Sequence, residues 1–263
     1  MKFGIIGEGA IGRYVRDQLR ERGHDVRAVL LRPERLQNRE SGKNDSIYVA
    51  AVADLPGDIE HMIDCAGHSA LKSYGPDILR RGIDLTTVSI GALADQDLYE
   101  DLEAAATEGE ARLHLASGAI GALDCLAAAR VGQLKSVTYV GRKPPKGWKG
   151  SPAETRLDLD NLTDGAAVHF DGTARIAAME YPKNANVAAA VALAGLGFDD
   201  TQVKLIADPD IEENIHEIQA SGDFGCFSFE IRGQSLPDNP RSSALAAMSV
   251  VSKLEQEMQR IRF

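Results

Sequence analysis

Six histidines, a glycine-patterned turn and one small cluster of a cation with two amides are the residues of this 263-residue sequence best suited to chemistry near neutral pH. Histidine trades a proton close to its ordinary pKa, so each of the six is a candidate acid or base. His24 falls in a helix-to-strand turn and His61 at a strand start, which predicts surface positions for both. His114 sits inside a strand and is expected to be packed, while His169 carries no local signal. His68 follows Cys65-Ala66-Gly67 at the C-terminal end of a strand, the edge where doubly wound sheets hold ligands, and is a candidate cofactor neighbour. His216, in NIHEIQASGDFG, shares a strand face with Asn214 and Ile218 by the period of two. It is the candidate for proton transfer, and a packed structural histidine is the alternative.

The glycine turn is GEGAIG, in which Gly7, Gly9 and Gly12 match G-x-G-x-x-G while Ala10 and Ile11 open the following helix. Alone the pattern is weak, since any tight turn can carry glycines. Here it leaves a strand and starts a helix, where the first Gly permits the turn, the second admits a pyrophosphate to the backbone and the third lets helix pack on strand. NAD-binding chains place an acid about 20 residues further on, to hold the ribose hydroxyls. This chain has Arg32 there, in LLRPERL, with Glu34 nearby. A guanidinium suits a 2′-phosphate, so NADP is expected to bind as well as NAD or better, unless Arg32 is only a solvated loop charge.

Two further stretches have donor character. SGAIG (117–121) repeats the glycine-turn-then-helix arrangement, with Ser117 either a plain cap or part of a carboxylate or carboxamide site. YPKNANVAAA (181–190) places Lys183, Asn184 and Asn186 at a helix start, the local cation and amides an acidic substrate would need, or else an ordinary cap by Asn184.

The elements that must position these residues alternate through the first half. Strands are predicted over 2–6, 25–31, 45–52, 61–67, 84–90 and 111–116, and helices over 10–22, 69–81 and 96–108. Such alternation on short connections implies a parallel sheet covered on both faces. From 117 the pattern changes: a Ser-Gly turn that continues as an alanine-rich helix to 134, a strand over 134–143, and a Pro/Gly/Lys loop holding the only tryptophan. Helices over 172–180 and 184–196 precede strands over 202–209, 213–222 and 224–232, whose short connections predict antiparallel pairing. The tail is expected to form one amphipathic helix from Pro240. The domains expected are therefore 1–116 for a dinucleotide, 117–239 for substrate, and a helix over 240–263 returning to the first, with substrate in the cleft between domains.

Composition narrows the partners. A net charge of −10 argues against nucleic acid or an anionic membrane, and apolar runs are too short to span a bilayer. Cys65, Cys125 and Cys226 are widely spaced, which predicts buried free thiols rather than a disulfide framework, and no ligand spacing suggests a metal. A cytoplasmic protein with a small-molecule substrate is expected.

GEGAIG, ASGAIGALDCLAAA (116–129), VTYVGRKPPKGW (137–148), YPKNANVAAAVALAGLGFD (181–199) and NIHEIQASGDFGCFSFEIRGQSLPDNPRSS (214–243) together resemble the L-aspartate dehydrogenase family. The resemblance implies an α/β chain with an N-terminal Rossmann-type sheet and a second α+β domain, similar to dihydrodipicolinate reductase. It implies NAD(P)-dependent oxidative deamination of L-aspartate to oxaloacetate and ammonium through iminoaspartate, a link to NAD biosynthesis, and a homodimer. The family's catalytic histidine falls on His216, and its cofactor contacts fall on Ala119 and Asn186 besides the glycine turn. Competing readings are a reductase of another imine such as dihydrodipicolinate, or a non-enzymatic NAD(H) sensor, which would need an interaction module this acidic chain lacks.

Overall fold

Strand and helix alternate through residues 1–116 in the computed structural model, which describes residues 1–38, 46–182, 184–236 and 239–261. The series is β1 (Lys2–Ile6), α1 (Ala10–Glu21), β2 (Asp25–Leu30), α2 (Pro33–Gln37), β3 (Ile47–Val49), β4 (His61–Asp64), α3 (His68–Arg80), β5 (Asp84–Thr87), α4 (Gln96–Glu108) and β6 (Leu113–Leu115). All six strands are parallel, in the order β3-β2-β1-β4-β5-β6. Their runs of apolar residues suit a sheet buried on both faces: β4 is buried at every position. The order reverses between β1 and β4, and a crevice at such a switch point is where open α/β sheets take ligands.

That two-sided burial overturns one expectation. His61 is not a surface residue but is 1% exposed, because β4 is central and even its first residue is covered. Its Nε2 lies 2.7 Å from Thr86 Oγ1 and its ring stacks on His114 at 5.4 Å. Burial, and then the charge His114 carries when protonated, pushes His61 down to about 4. The strand expected over 45–52 shortens to Ile47–Val49, with residue 45 outside the described residues, and 52–54 form a 3-10 turn.

The chain divides into two compact units, Met1–Ala116 with Ala246–Phe263, and Ser117–Leu245. The second unit contains α5 (Leu123–Ala129), β7 (Leu134–Lys143), α6 (Ala153–Arg156), β8 (Ala167–Thr173), α7 (Ala174–Glu180), α8 (Asn186–Ala194), β9 (Gln202–Ala207), β10 (Asn214–Gly222), β11 (Gly225–Gly233), β12 (Ser235–Leu236) and β13 (Asn239–Ser243). Its main sheet runs β11-β10-β7-β9-β8. β10 pairs antiparallel with β11 across a tight turn, as expected, and with β7, which is distant in sequence. The antiparallel pairing expected between β9 and β10 is absent, because β7 lies between them. β9, however, pairs parallel with β7 and antiparallel with β8, a strand the sequence pattern does not reveal. A register shift between Val168 and Phe170 puts His169 and Phe170 both inside, which breaks the alternation.

Further differences are local. The helix expected after the Ser-Gly turn begins at Leu123, follows Ala122 in a left-handed conformation (φ 57°) and ends at Ala129, short of 134, so Ser117 is not its cap and 117–122 is a loop. The tail is not helical from Pro240, because 239–243 pair with β12 as a short hairpin, an edge position that tolerates proline. The helix is α9 (Ala244–Met258), and its Val250, Val251 and Leu254 pack with Phe3, Ile5, Val15 and Leu19 in the core of the first unit. Cys125 and Cys226 are exposed rather than buried, the first on a short helix, the second beside the turn of edge strand β11. Among the described residues no helix is long and apolar enough to cross a membrane.

Candidate active site

The glycine turn separates into residues the fold needs and one it does not. Gly7 has φ +91°, a left-handed value unfavourable for other residues, and a Cβ there would lie 2.8 Å from Ala66 Cβ. A Cβ on Gly12 would lie 2.5 Å from Gly7 O, which blocks the contact of helix and turn. Gly9 has φ −75°, open to any residue, and its added Cβ would meet nothing within 4 Å. The fold does not require a glycine at 9. The open space before the N-terminus of the twelve-residue α1, whose first turn carries no acid, fits a phosphate group.

The turn is also held still. Glu8 Oε1 accepts from Arg16 Nη1 at 2.9 Å and from Tyr48 OH at 2.8 Å, and Arg13 Nη1 donates to Glu8 O at 2.9 Å. A cavity of about 500 Å³ opens from it, lined by Gly7, Gly9, Arg13, Arg32, Arg35 and Asn38 among others. Arg35 joins Arg32 as a second exposed guanidinium, one helical turn on, which sequence reading passed over. Ala10 and Ile11 form the first turn of α1. His68 begins α3 just past β4, but is not among the residues lining this cavity. Asp64, fully buried there, accepts from Thr87 Oγ1 at 2.8 Å, Ser89 Oγ at 2.5 Å and Ala66 N at 2.9 Å, and burial raises its pKa.

In the second unit one sheet face gathers the candidate chemistry. Tyr139, Gly141 and Lys143 alternate on β7, so they share a face, and His216 on β10 lies directly opposite Gly141. His216 is 4% exposed, its Nδ1 lies 2.7 Å from the Tyr139 hydroxyl, and the rings stack at 17°. Gly141 makes this possible: a Cβ there would lie 2.7 Å from that hydroxyl. Burial raises the Tyr139 pKa and keeps the phenol uncharged. His216 is pushed down to about 3, first by burial and then by the positive charge of Lys143. It is therefore a neutral imidazole at physiological pH.

Lys143 links this pair to a second predicted stretch. Its Nζ donates to Asn184 Oδ1 at 2.9 Å and sits 5.0 Å above the Trp148 ring. Asn184 is therefore a partner of Lys143, not the cap of α8, whose N-cap is Ala185. Asn186 is the first residue of α8, Lys183 lies outside the described residues, and Ser117 and Ala119 lie in the loop before α5. Burial pulls Lys143 down to about 8. Beside it His169, with Tyr181 OH 3.1 Å from Nδ1, is held near about 4 by burial and then by Arg156 and Lys143. Tyr139 and Lys143 carry no signal of a site in the sequence, and His169 stands there only as one of six histidines. The alternation Y-V-G-R-K was the available signal, but only a strand register connects it to His216.

The likeness to known proteins spans both units. Residues 7–116 match the homoserine dehydrogenase NAD-binding domain, and residues 124–257 match the aspartate dehydrogenase C-terminal domain. An L-aspartate dehydrogenase of Ruegeria pomeroyi is 51% identical over 262 residues, covering 100% of this chain and 94% of its own. The chain belongs to the L-aspartate dehydrogenase family. A Ralstonia nicotianae member is 46% identical, with 95% of each chain covered. The crystal structure of the Thermotoga maritima member superimposes with a TM-score of 0.78 at 28% identity, over 100% of this chain and 99% of that one. A dihydrodipicolinate reductase from Paenisporosarcina shares the fold, with a TM-score of 0.57 at 11% identity over 98% of this chain and 94% of that one. Family membership makes this an enzyme fold with a pyridine-nucleotide domain, in keeping with the turn at Gly9.

Proposed function

We propose that this chain oxidises L-aspartate with NAD or NADP, giving iminoaspartate and then oxaloacetate and ammonium, and that the iminoaspartate can feed NAD biosynthesis. The observation that carries the reading is the neutral His216, held by Tyr139 on the same sheet face as Lys143, in a chain alike over its full length to L-aspartate dehydrogenases. A bound nicotinamide supplies the acceptor for the hydride leaving the substrate α-carbon. His216, uncharged, takes the proton that the substrate ammonium must lose before its nitrogen lone pair can form the C=N bond. His216 releases that proton to solvent. Water then adds to the imine carbon, and His216 takes the water's proton and passes it to the nitrogen. As the remaining hydroxyl gives up its proton the C–N bond breaks, and the nitrogen leaves as ammonia, which is protonated to ammonium.

Gly7, Gly9, Ala10, Ile11 and Gly12 are proposed to hold the pyrophosphate, with Ala119 and Asn186 as further cofactor contacts and Ser117, Lys183 and Asn184 near substrate. Arg32, with Arg35 beside it in the same cavity, supports use of NADP at least as readily as NAD. The test is the appearance of reduced nicotinamide when purified protein meets L-aspartate with either dinucleotide, and its consumption with oxaloacetate and ammonium. Turnover in neither direction, with reduction of a cyclic imine instead, would replace this reading by the reductase alternative.

A further inference from the structure

The Lys143 ammonium is a half-buried cation with no anion beside it. Asn184 Oδ1 takes one of its N–H donors at 2.9 Å, and the Trp148 ring face, 5.0 Å away, receives the charge. Neither partner is negative, and among the described residues no carboxylate lies within ion-pair distance. The acids of the neighbouring strands are engaged elsewhere. Asp208, next to Ala207 opposite Lys143, is paired with Arg142 at 2.8 Å, Asp171 with Lys204 at 3.6 Å, and Glu180 with Arg156 at 2.7 Å. The other titratable groups around it, His216 and His169, are neutral and are themselves held so in part by Lys143. The cluster is one negative charge short. Even partial burial of a charge without its complement is costly, and a ligand carboxylate is the complement this cluster can take.

We propose that Lys143 is the receptor for one carboxylate of a bound dicarboxylate and thereby sets the preference for L-aspartate over its amide. This rests on the reading of His216 and substrate class above. It assigns a role to a residue on β7, distinct from the Lys183 cluster that the sequence suggests. A carboxylate at Lys143 would also offset the positive charge that helps hold His216 down, so substrate binding would itself raise the proton affinity of the base.

Trp148 is the only tryptophan of the chain, so its fluorescence reports directly on the surroundings of Lys143. With NAD bound, succinate should change Trp148 emission saturably, and butyrate at equal ionic strength should not. Lys143→Met keeps the apolar stem and should weaken succinate binding by about 10- to 100-fold, the range for a hydrogen bond to a charged group. The same variant should retain NAD binding and its melting temperature, and should lose the kcat/KM preference for L-aspartate over L-asparagine. Lys143→Arg should recover most of it. Succinate binding to Lys143→Met as tight as to the wild type overturns the inference and leaves the proposed reaction standing. A wild-type protein that binds succinate through Lys143 yet oxidises no L-aspartate removes the reaction and leaves the receptor. Should Lys143→Met not fold, the wild type decides: equal responses to succinate and butyrate, or none to either, overturn the inference.

Discussion

The Tyr139 hydroxyl lies 2.7 Å from His216 Nδ1 across two paired strands, in space that Gly141 leaves empty. With the proton of the neutral ring on Nδ1 and donated to the Tyr139 oxygen, the Nε2 lone pair stays open to a substrate proton, so the contact fixes tautomer and orientation together. Tyr139→Phe removes that bond and little else. A neutral hydrogen bond contributes about 1 kcal/mol, about fivefold in rate, so kcat should fall by about that factor with the cofactor KM unchanged. Gly141→Ala should do the same by displacing the hydroxyl. Steady-state kinetics of the two variants check this, and unchanged kcat in a folded Tyr139→Phe would show the pair to be packing alone.

His216→Asn keeps a polar side chain but cannot trade a proton. Its kcat should drop by about 10²–10⁴-fold with dinucleotide affinity retained. In the wild type, burial and then Lys143 hold His216 near about 3, below its ordinary 6.5, so the base stays neutral and kcat/KM should persist well below pH 6.5. Lys143→Met removes one of the two causes and should move the acid limb upward. A limb at the ordinary histidine value in the wild type would contradict the buried, Lys143-facing environment.

Gly9 has room for a side chain and a backbone conformation that accepts one. Gly9→Val should therefore fold with a melting temperature near wild type, yet lose dinucleotide binding because the side chain fills the phosphate space. Gly12→Ala should be destabilised, since its Cβ would sit 2.5 Å from Gly7 O. Calorimetric titration with NAD, set beside thermal melts, separates the two effects.

Arg32 and Arg35 line one cavity with the glycine turn. Arg32→Ala should weaken NADP more than NAD, by about 1.5–3 kcal/mol if the guanidinium meets a 2′-phosphate, and the double variant with Arg35→Ala should lose more. Equal losses for both dinucleotides would place these arginines on another part of the cofactor.

Acid should unfold this protein steeply. His61, His169 and His216 have folded-state values of about 4, about 4 and about 3, all below the ordinary 6.5. The unfolded chain therefore takes up these protons first. Stability is complete above about pH 6.5 and declines as pH falls towards 4, by up to about 4 kcal/mol per pH unit when all three contribute. Urea midpoints measured from pH 7.5 to 4.5 give the slope, and a flat profile would mean that these rings are not buried neutral.

Much of the fold was legible because the signals are local. The apolar runs of β1, β2 and β4, the helical spacing of α1 and the turn at Gly7 each carry their own instruction. β8 was not legible, because the register shift beside His169 interrupts its alternation. The loop over 117–122 is longer than the Ser-Gly turn expected there, because Ala122 adopts a left-handed conformation that composition does not signal. His61 was misjudged because burial at a strand start depends on which strands flank it.

The sequence by itself determined the dinucleotide turn, the parallel sheet behind it and His216 as a candidate, because backbone sterics and apolar periodicity act over a few residues. Only the tertiary structure decided what His216 faces. Tyr139 is 77 residues away in the chain, and Lys143 meets Asn184 across 41, so both relationships depend on strand register and on the packing of β7 beneath the start of α8. A shift of one residue in the pairing of β7 with β10 would turn Tyr139, Gly141 and Lys143 to the other face of the sheet relative to His216, and no local property of either segment excludes it.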